Sequence, residues 1–324
     1  MKPIAVLAIG GNSLEQPGRP ASFAEQQRIA RLACEGIVDV LRAGYRVVVT
    51  HGNGPQVGQA LLRSELAASA VPPIPLDACG AETQGLIGYL LQQELTNVLR
   101  ERGLWQSAVS LVTQVVVDAN DPAFLQPSKP VGPFYSLQEA ERRQRELAWV
   151  MVEDAGRGWR RVVPSPQPIE LVEIGAVRTC LRAGHIVIAG GGGGIPVVRR
   201  QNRLQGVEAV VDKDRTSGLL ARQLHAELLL FSTAVDRVAL HFGRPEQRFL
   251  DRLTWEEARQ YLQQGHFPPG SMGPKIEAAL EFLAAGGQRV LITSPENIIR
   301  AVRGQAGTEI LQPLRAAQPR WSAA

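Results

Sequence analysis

The 324-residue sequence contains no apolar stretch approaching the roughly 20 residues that a membrane helix requires, so no membrane partner is expected. Cysteine is scarce: Cys34, Cys79 and Cys180 are odd in number and far apart, which excludes a disulfide framework and reads as reduced core thiols of a cytoplasmic chain. Aromatic residues make up only 5%, and the basic residues are scattered among acidic neighbours, as in ERRQRELAW (141–149). Despite a net charge of +4 and a pI near 9.2, this pattern argues against nucleic acid and suits small anions instead. The N-terminus, MKPIAVLAIGGNSL, has one lysine and a six-residue apolar run, too short for a signal-peptide core, so an unprocessed chain is expected.

Familiar site motifs are missing as well. Neither GxxxxGK followed by Ser or Thr nor GxGxxG occurs, and there is no HExxH. The histidines, His51, His185, His225, His241 and His266, show no metal-ligand spacing, and no Cys–His or Ser–His–Asp arrangement stands out. No protein-built metal site is expected. His51 borders a glycine turn, where packing at a strand end is the simpler role.

What is present is a recurring apolar run of strand length: IAVLAI (4–9), YRVVVT (45–50), AVSLVTQVVV (108–117), HIVIA (185–189), AELLLF (226–231) and RVLIT (289–293). These runs are continuous rather than alternating, the mark of strands covered on both faces in a parallel sheet. Helical patterns separate most of them; one opens at Ser22 and stops at Gly44. The expected fold is an α/β three-layer αβα sandwich with a mostly parallel open sheet. Residues 122–168 break the rhythm, being rich in Pro and Gly, with little strand character around a charged helix at roughly 136–149. They predict a lid or a small protruding subdomain.

Three of the runs end in glycine turns: Gly10, Gly11 and Asn12; Gly52, Asn53 and Gly54; and the five glycines Gly190 to Gly194. Any one alone is explained by a tight turn. In a parallel sheet, however, all three lie on one edge, where backbone N–H groups can approach an anion. Three lysines have stiff contexts. Lys129 precedes Pro130 and is held extended. Lys213 stands where the apolar run EAVVDKD meets a helix that Asp214 can cap. Lys275 follows Gly273 and Pro274 in the first turn of a helix, with Pro274 as its expected first residue. A cation at a helix N-terminus is unfavourable by up to about 1 kcal/mol. A phosphate oxygen at about 4 Å returns about 4 kcal/mol at an effective dielectric near 20, so an anion is expected in front of Lys275. Each lysine by itself also fits an ordinary solvated residue. Glycine amides, lysines and one or two aspartates suit phosphoryl transfer, which depends on positioning and charge neutralisation.

The strings AIGGN, THGNGPQVG, TQGLIGY, TQVVVD, KPVGPF, EDAGRGWRRVVPSP, GGGGIPVV, GVEAVVDKD, HFPPGSMGPKIEAA and ITSPEN, in this order across residues 8–297, resemble the carbamate kinases of the amino acid kinase superfamily. The resemblance implies a single domain over 1–324, assembled as a homodimer with a sheet of roughly eight strands. Its N-terminal half (about 1–205) would hold carbamoyl phosphate or carbamate, and its C-terminal half (about 206–315) ADP or ATP with Mg2+. By position, Gly10, Gly11, Asn12, Gly52 and Asn53 would bind the transferring phosphoryl group, with Gly54, Gly191, Gly192 and Gly193 on the same substrate wall. Lys129 would reach from the protruding segment onto carbamoyl phosphate. Lys213 and Lys275 would neutralise the nucleotide and transferring phosphates, with Asp212 holding those two lysines, and Ala234, Val235, Asp236 and Met272 would line the nucleotide pocket. Ser13, Arg215-Thr216 and TAVDRV depart from the family's usual wording without removing any of these groups. Two other readings remain at this stage: a related acyl-phosphate-forming kinase, which the segment around Lys129 argues against, and a non-catalytic acyl-phosphate sensor, which retention of the lysines argues against.

Overall fold

The computed structural model describes residues 2–10, 21–154 and 156–312. Gly11, Asn12 and Ser13 of the first glycine turn lie outside them. Eight strands form the main sheet, in the order Arg252–Thr254, Thr308–Leu311, Arg289–Thr293, Leu228–Ser232, Ile4–Ile9, Arg46–His51, Ile186–Ile188 and Ala108–Ser110. All neighbours are parallel except Thr308–Leu311 against Arg289–Thr293. The unbroken apolar runs are explained by what covers the sheet. Along Ile4–Ile9, Val6 and Ala8 enter one buried cluster with Val48, Leu229 and Phe231, while Ala5, Leu7 and Ile9 enter another with Val47, Val49 and Leu230. Both faces are dry, so alternation has no solvent side to serve. The helix Phe23–Arg42 begins where the sequence places it, with Ser22 and Glu25 forming a capping box.

The run AVSLVTQVVV is not one strand. It divides into Ala108–Ser110 in the main sheet and Gln114–Val117 in a four-stranded sheet with Arg203–Gly206, Ile195–Arg200 and Pro168–Leu171. The division falls at Thr113, whose backbone is bracketed by a buried side chain from the helix Leu76–Glu101. The Thr113 N–H donates to Gln84 Oε1 at 2.7 Å, and Gln84 Nε2 donates to the Thr113 carbonyl at 3.1 Å. A primary amide here satisfies the peptide groups that a ladder would otherwise occupy.

Residues 122–168 hold more strand than their composition suggests. Lys129–Tyr135, Trp159–Val163 and Val150–Glu153 form a three-stranded antiparallel sheet beside the helix Leu137–Leu147. The prolines that obscured it, Pro130 and Pro133, sit on an edge strand, where a missing N–H is tolerated. Among the described residues no helix is long and apolar enough to cross a membrane.

The five glycines bring the centre of the fold together. Gly193 has φ +93°, and a Cβ there would collide with the Val211 carbonyl; a Cβ on Gly192 would collide with the Asn53 amide. Gly193→Ala is therefore expected to cost about 2–4 kcal/mol, combining backbone strain with overpacking. Gly265→Ala, at φ +75° but facing open space, should cost only about 1 kcal/mol. Urea denaturation of both variants checks this, and equal losses would contradict the packing account.

Candidate active site

The strands Ile4–Ile9, Arg46–His51 and Ile186–Ile188 are neighbours, so Gly10, Gly52 and Gly190 emerge on one edge as the sequence requires. Not every amide there is free. The Gly10 N–H donates to the Ser232 carbonyl and the Gly52 N–H to the Ile9 carbonyl, each at 3.0 Å, extending the sheet by one rung. The Gly193 and Gly194 amides close turns onto the carbonyls of Gly190 and Gly191. The Gly191 carbonyl accepts from Gln84 Nε2 at 2.9 Å, and the Gly193 carbonyl accepts from the Thr216 hydroxyl at 2.8 Å. Among the five glycines, Gly192 forms part of the cleft wall; Gly191 and Gly193 pack the floor beneath it. The amides of Asn53 and Gly54, at the start of the helix Gly54–Ala67, carry no bond among the described residues and remain available to an anion.

His51 lies under Gly191, buried, with its ring against the glycine and Nδ1 at 3.1 Å from the Gly52 carbonyl. Burial lowers its pKa to about 4, so it is a neutral packing residue at physiological pH.

Three elements bring the three lysines together. Lys129 begins the edge strand of the protruding sheet, Lys213 begins the helix Lys213–Gln223, and Lys275 sits in the first turn of the helix Met272–Ala284. That last helix starts at Met272 rather than at Pro274. Lys129, Lys213 and Lys275 all line one cavity of about 230 Å³ with Gly52, Asn53, Gly54, Gly192, Asp212 and Asp214. A second cavity of about 380 Å³ shares Lys213 and Lys275 and continues past Gly10, Thr233, Ala234, Ser294 and Glu296. A third, of about 340 Å³ and more apolar, shares Ala234 and Lys275 and is walled by Val235, Phe242, His266, Phe267 and Met272. The three form one continuous cleft along the carboxyl edge of the sheet. Asp236, exposed, is not among the residues lining these cavities; its carboxylate accepts from Asn297 Nδ2 at 2.8 Å and is hydrogen-bonded to the side chain of Ser294, which lines the second cavity.

The aspartates exchange the roles that the sequence suggested. Asp212, not Asp214, caps the helix Lys213–Gln223, accepting from the Asp214 N–H at 2.9 Å. Its other oxygen pairs with Lys129 Nζ at 2.7 Å and reaches neither Lys213 nor Lys275. Asp214 holds those two, with Lys213 Nζ at 2.7 Å and Lys275 Nζ at 2.8 Å on opposite oxygens. The correction has a geometric cause: a cap residue must turn its carboxylate back to the helix N–H groups, and that turns Asp212 toward the protruding strand. Sequence reasoning missed Asp214 in this role and Gln84. The DKD context was the signal for Asp214; Gln84 carried none.

Burial disfavours the Asp214 carboxylate, yet the two adjacent lysines hold its pKa down at about 2. Burial also lowers the pKa of Lys213 below the ordinary lysine value, a shift that the Asp214 carboxylate opposes. Three lysines thus face two aspartates in the cavity of about 230 Å³, leaving an excess of positive charge there. Because the folded pKa of Asp214 lies below the ordinary 3.8, its contribution to stability is present above that value and is lost as pH falls through about 2. Asp214→Asn is expected to be less stable than wild type by about 2 kcal/mol at pH 7, with the gap narrowing below pH ~4. Urea midpoints across pH 7 to 3 measure it, and a gap independent of pH would count against the assignment.

Comparison with known proteins agrees with this geometry. The model of the amino acid kinase family matches residues 3–294. Carbamate kinase of Pyrococcus furiosus is 45% identical, with 94% of this chain and 98% of that protein aligned. The carbamate kinase-like protein YahI of Escherichia coli is 48% identical over 96% of this chain and the whole of that protein. The structure of Giardia lamblia carbamate kinase bound to AMP-PNP superposes with a TM-score of 0.91 at 40% identity, covering 96% and 99% of the two chains. The chain belongs to the amino acid kinase family and, within it, to the carbamate kinases.

Proposed function

We propose that this chain is an ATP:carbamate phosphotransferase, interconverting carbamoyl phosphate and ADP with carbamate and ATP. The observation that supports this best is the convergence of Lys129, Lys213 and Lys275 on one small cavity, from which Lys213 and Lys275 lead into a second and Lys275 into a third, more apolar chamber. The small cavity suits carbamoyl phosphate. The apolar chamber, with Ala234, Val235 and Met272 on its wall, suits a purine, and the phosphates would lie between them under Lys213 and Lys275. In this reading Gly10, Gly52, Asn53 and Gly54 border the transferring phosphoryl group. Gly11 and Asn12 would complete that border, and Gly191 and Gly193 would serve it only by shaping its floor.

Carbamate is already an anion at neutral pH. In the ATP-consuming direction its oxygen attacks the terminal phosphorus, a P–O bond to that oxygen forms, the bond to ADP breaks, and no proton need be removed. A neutral, buried His51 is consistent with a site that needs no general base. The barrier is repulsion between anions, and ammonium groups fixed before substrate arrives lower it with little reorganisation. Magnesium would enter with the nucleotide and neutralise phosphate charge. Among the described residues no group of three or more His, Cys, Asp or Glu side chains could hold a metal by itself. The Glu296 carboxylate and the Thr233 and Ser294 hydroxyls on the phosphate chamber fit an ion held chiefly by phosphate and water. We expect a homodimer in solution, checked by light scattering.

ATP formed from carbamoyl phosphate, ADP and magnesium tests the reading. Lys213→Ala should lower the rate by about 10²–10³, the scale of one lost transition-state contact. Lys129→Ala should give a large loss with carbamoyl phosphate while ADP affinity by calorimetry stays unchanged. Absence of ATP in the wild type, or a parallel collapse of ADP affinity in Lys129→Ala, would overturn the respective assignment.

A further inference from the structure

Lys129 is useful only if the protruding sheet that carries it is held at the right height above the cleft. Deep in the seam between that sheet and the body, Val131 and Val163 pack with Val57, Ala60, Leu61, Leu76 and Cys79 in one buried cluster. At the outer end a cavity of about 600 Å³ opens, with Leu66 and Pro73 on the body side and Arg142, Leu147 and Trp149 on the other. There the two sides are joined by point contacts.

One of these is built around Arg143, on the helix Leu137–Leu147. Its guanidinium lies 4.2 Å from the centre of the Tyr135 ring and 5.5 Å from that of Trp149. Nη2 reaches across the seam to Glu65 Oε2 at 3.1 Å. The pair is largely withdrawn from water, with side-chain exposures of 15% for Arg143 and 21% for Glu65, so it is screened less than a surface pair. The Tyr135 hydroxyl also points to Glu65, at 3.4 Å. A second tie, Arg161 to Glu208, is more exposed on its acidic side.

Both ends of the Arg143 contact lead to the cleft. Tyr135 closes the strand that Lys129 opens. Glu65 sits near the end of the helix Gly54–Ala67, whose first residues border the same cavity as Lys129. Strand and helix also touch midway, where a Cβ on Gly58 would lie 3.2 Å from Gly132 Cα. A strand and a helix joined at both places form a stiff frame, with Lys129 and Asn53 at its working end.

We infer that Arg143 is a positioning residue: by clasping Glu65 it sets the reach of Lys129 over the carbamoyl phosphate chamber. The inference rests on the reaction proposed above. In steady-state assays, Arg143→Ala and Glu65→Gln should each raise KM for carbamoyl phosphate roughly 5- to 50-fold, the scale of a misplaced substrate contact, with KM for ADP within about twofold of wild type. In a Lys129→Ala background, Arg143→Ala should add less than about twofold, because the group it positions is gone. A purely structural role would instead change both KM values and multiply with Lys129→Ala. Amide hydrogen exchange across 129–135 should quicken in both clasp variants without any substrate present. Unchanged KM values, fully multiplicative effects or unchanged exchange would each overturn the clasp. A wild type that makes no ATP would sink the reaction, while the exchange measurement would still decide the clasp.

Discussion

The interaction on which the site depends is a buried carboxylate shared by two ammonium groups. Asp214 sits between Lys213 and Lys275, and the three come from two helices that meet edge to edge. Without the carboxylate, two lysines this deep would repel one another and lose their charge to desolvation. With it, they remain as a fixed positive wall. That wall cannot collapse inward, because the small residues behind it are already in contact: a Cβ on Gly218 would lie 2.9 Å from Ala278 Cβ. The positive charge of the cleft is thus held by core packing, and the electrostatics and the fold are inseparable.

The same logic explains the glycine-rich floor. A phosphate chamber needs backbone close to the ligand, and its supporting layer needs backbone close to backbone. Gly193 meets the Val211 carbonyl immediately before the Asp212–Lys213–Asp214 segment, so the loop that looks like a ligand cradle is equally the shelf on which the charged segment rests. Thr216, a departure from the family's usual wording, donates its hydroxyl to the Gly193 carbonyl and reinforces that shelf. Arg215 beside it turns outward to Glu277, which explains why a charged residue is accommodated there.

Much of this was legible from residues alone. The continuous apolar runs named the parallel strands because both faces of the sheet are buried. The glycine turns fell on one edge because parallel strands share a direction. Lys129 was recognisable as extended because Pro130 restricts it locally. Two of the misreadings of secondary structure were settled by partners distant in sequence. Gln84 divides AVSLVTQVVV at Thr113, and an edge position tolerates the prolines of Lys129–Tyr135.

By itself the sequence determined which segments become strands, where they end in glycine, and which lysines stand at stiff positions, since hydrophobic periodicity and local backbone restriction act over a few residues. Only the tertiary structure decided which carboxylate each lysine meets, which glycines face the cleft and which lie beneath it, and how the protruding sheet is held over it. Asp212 and Asp214 are two residues apart and chemically identical. What distinguishes them is orientation, one turned toward the helix N–H groups and Lys129 and the other into the lysine wall, and orientation is a property of the packed helix rather than of the residue.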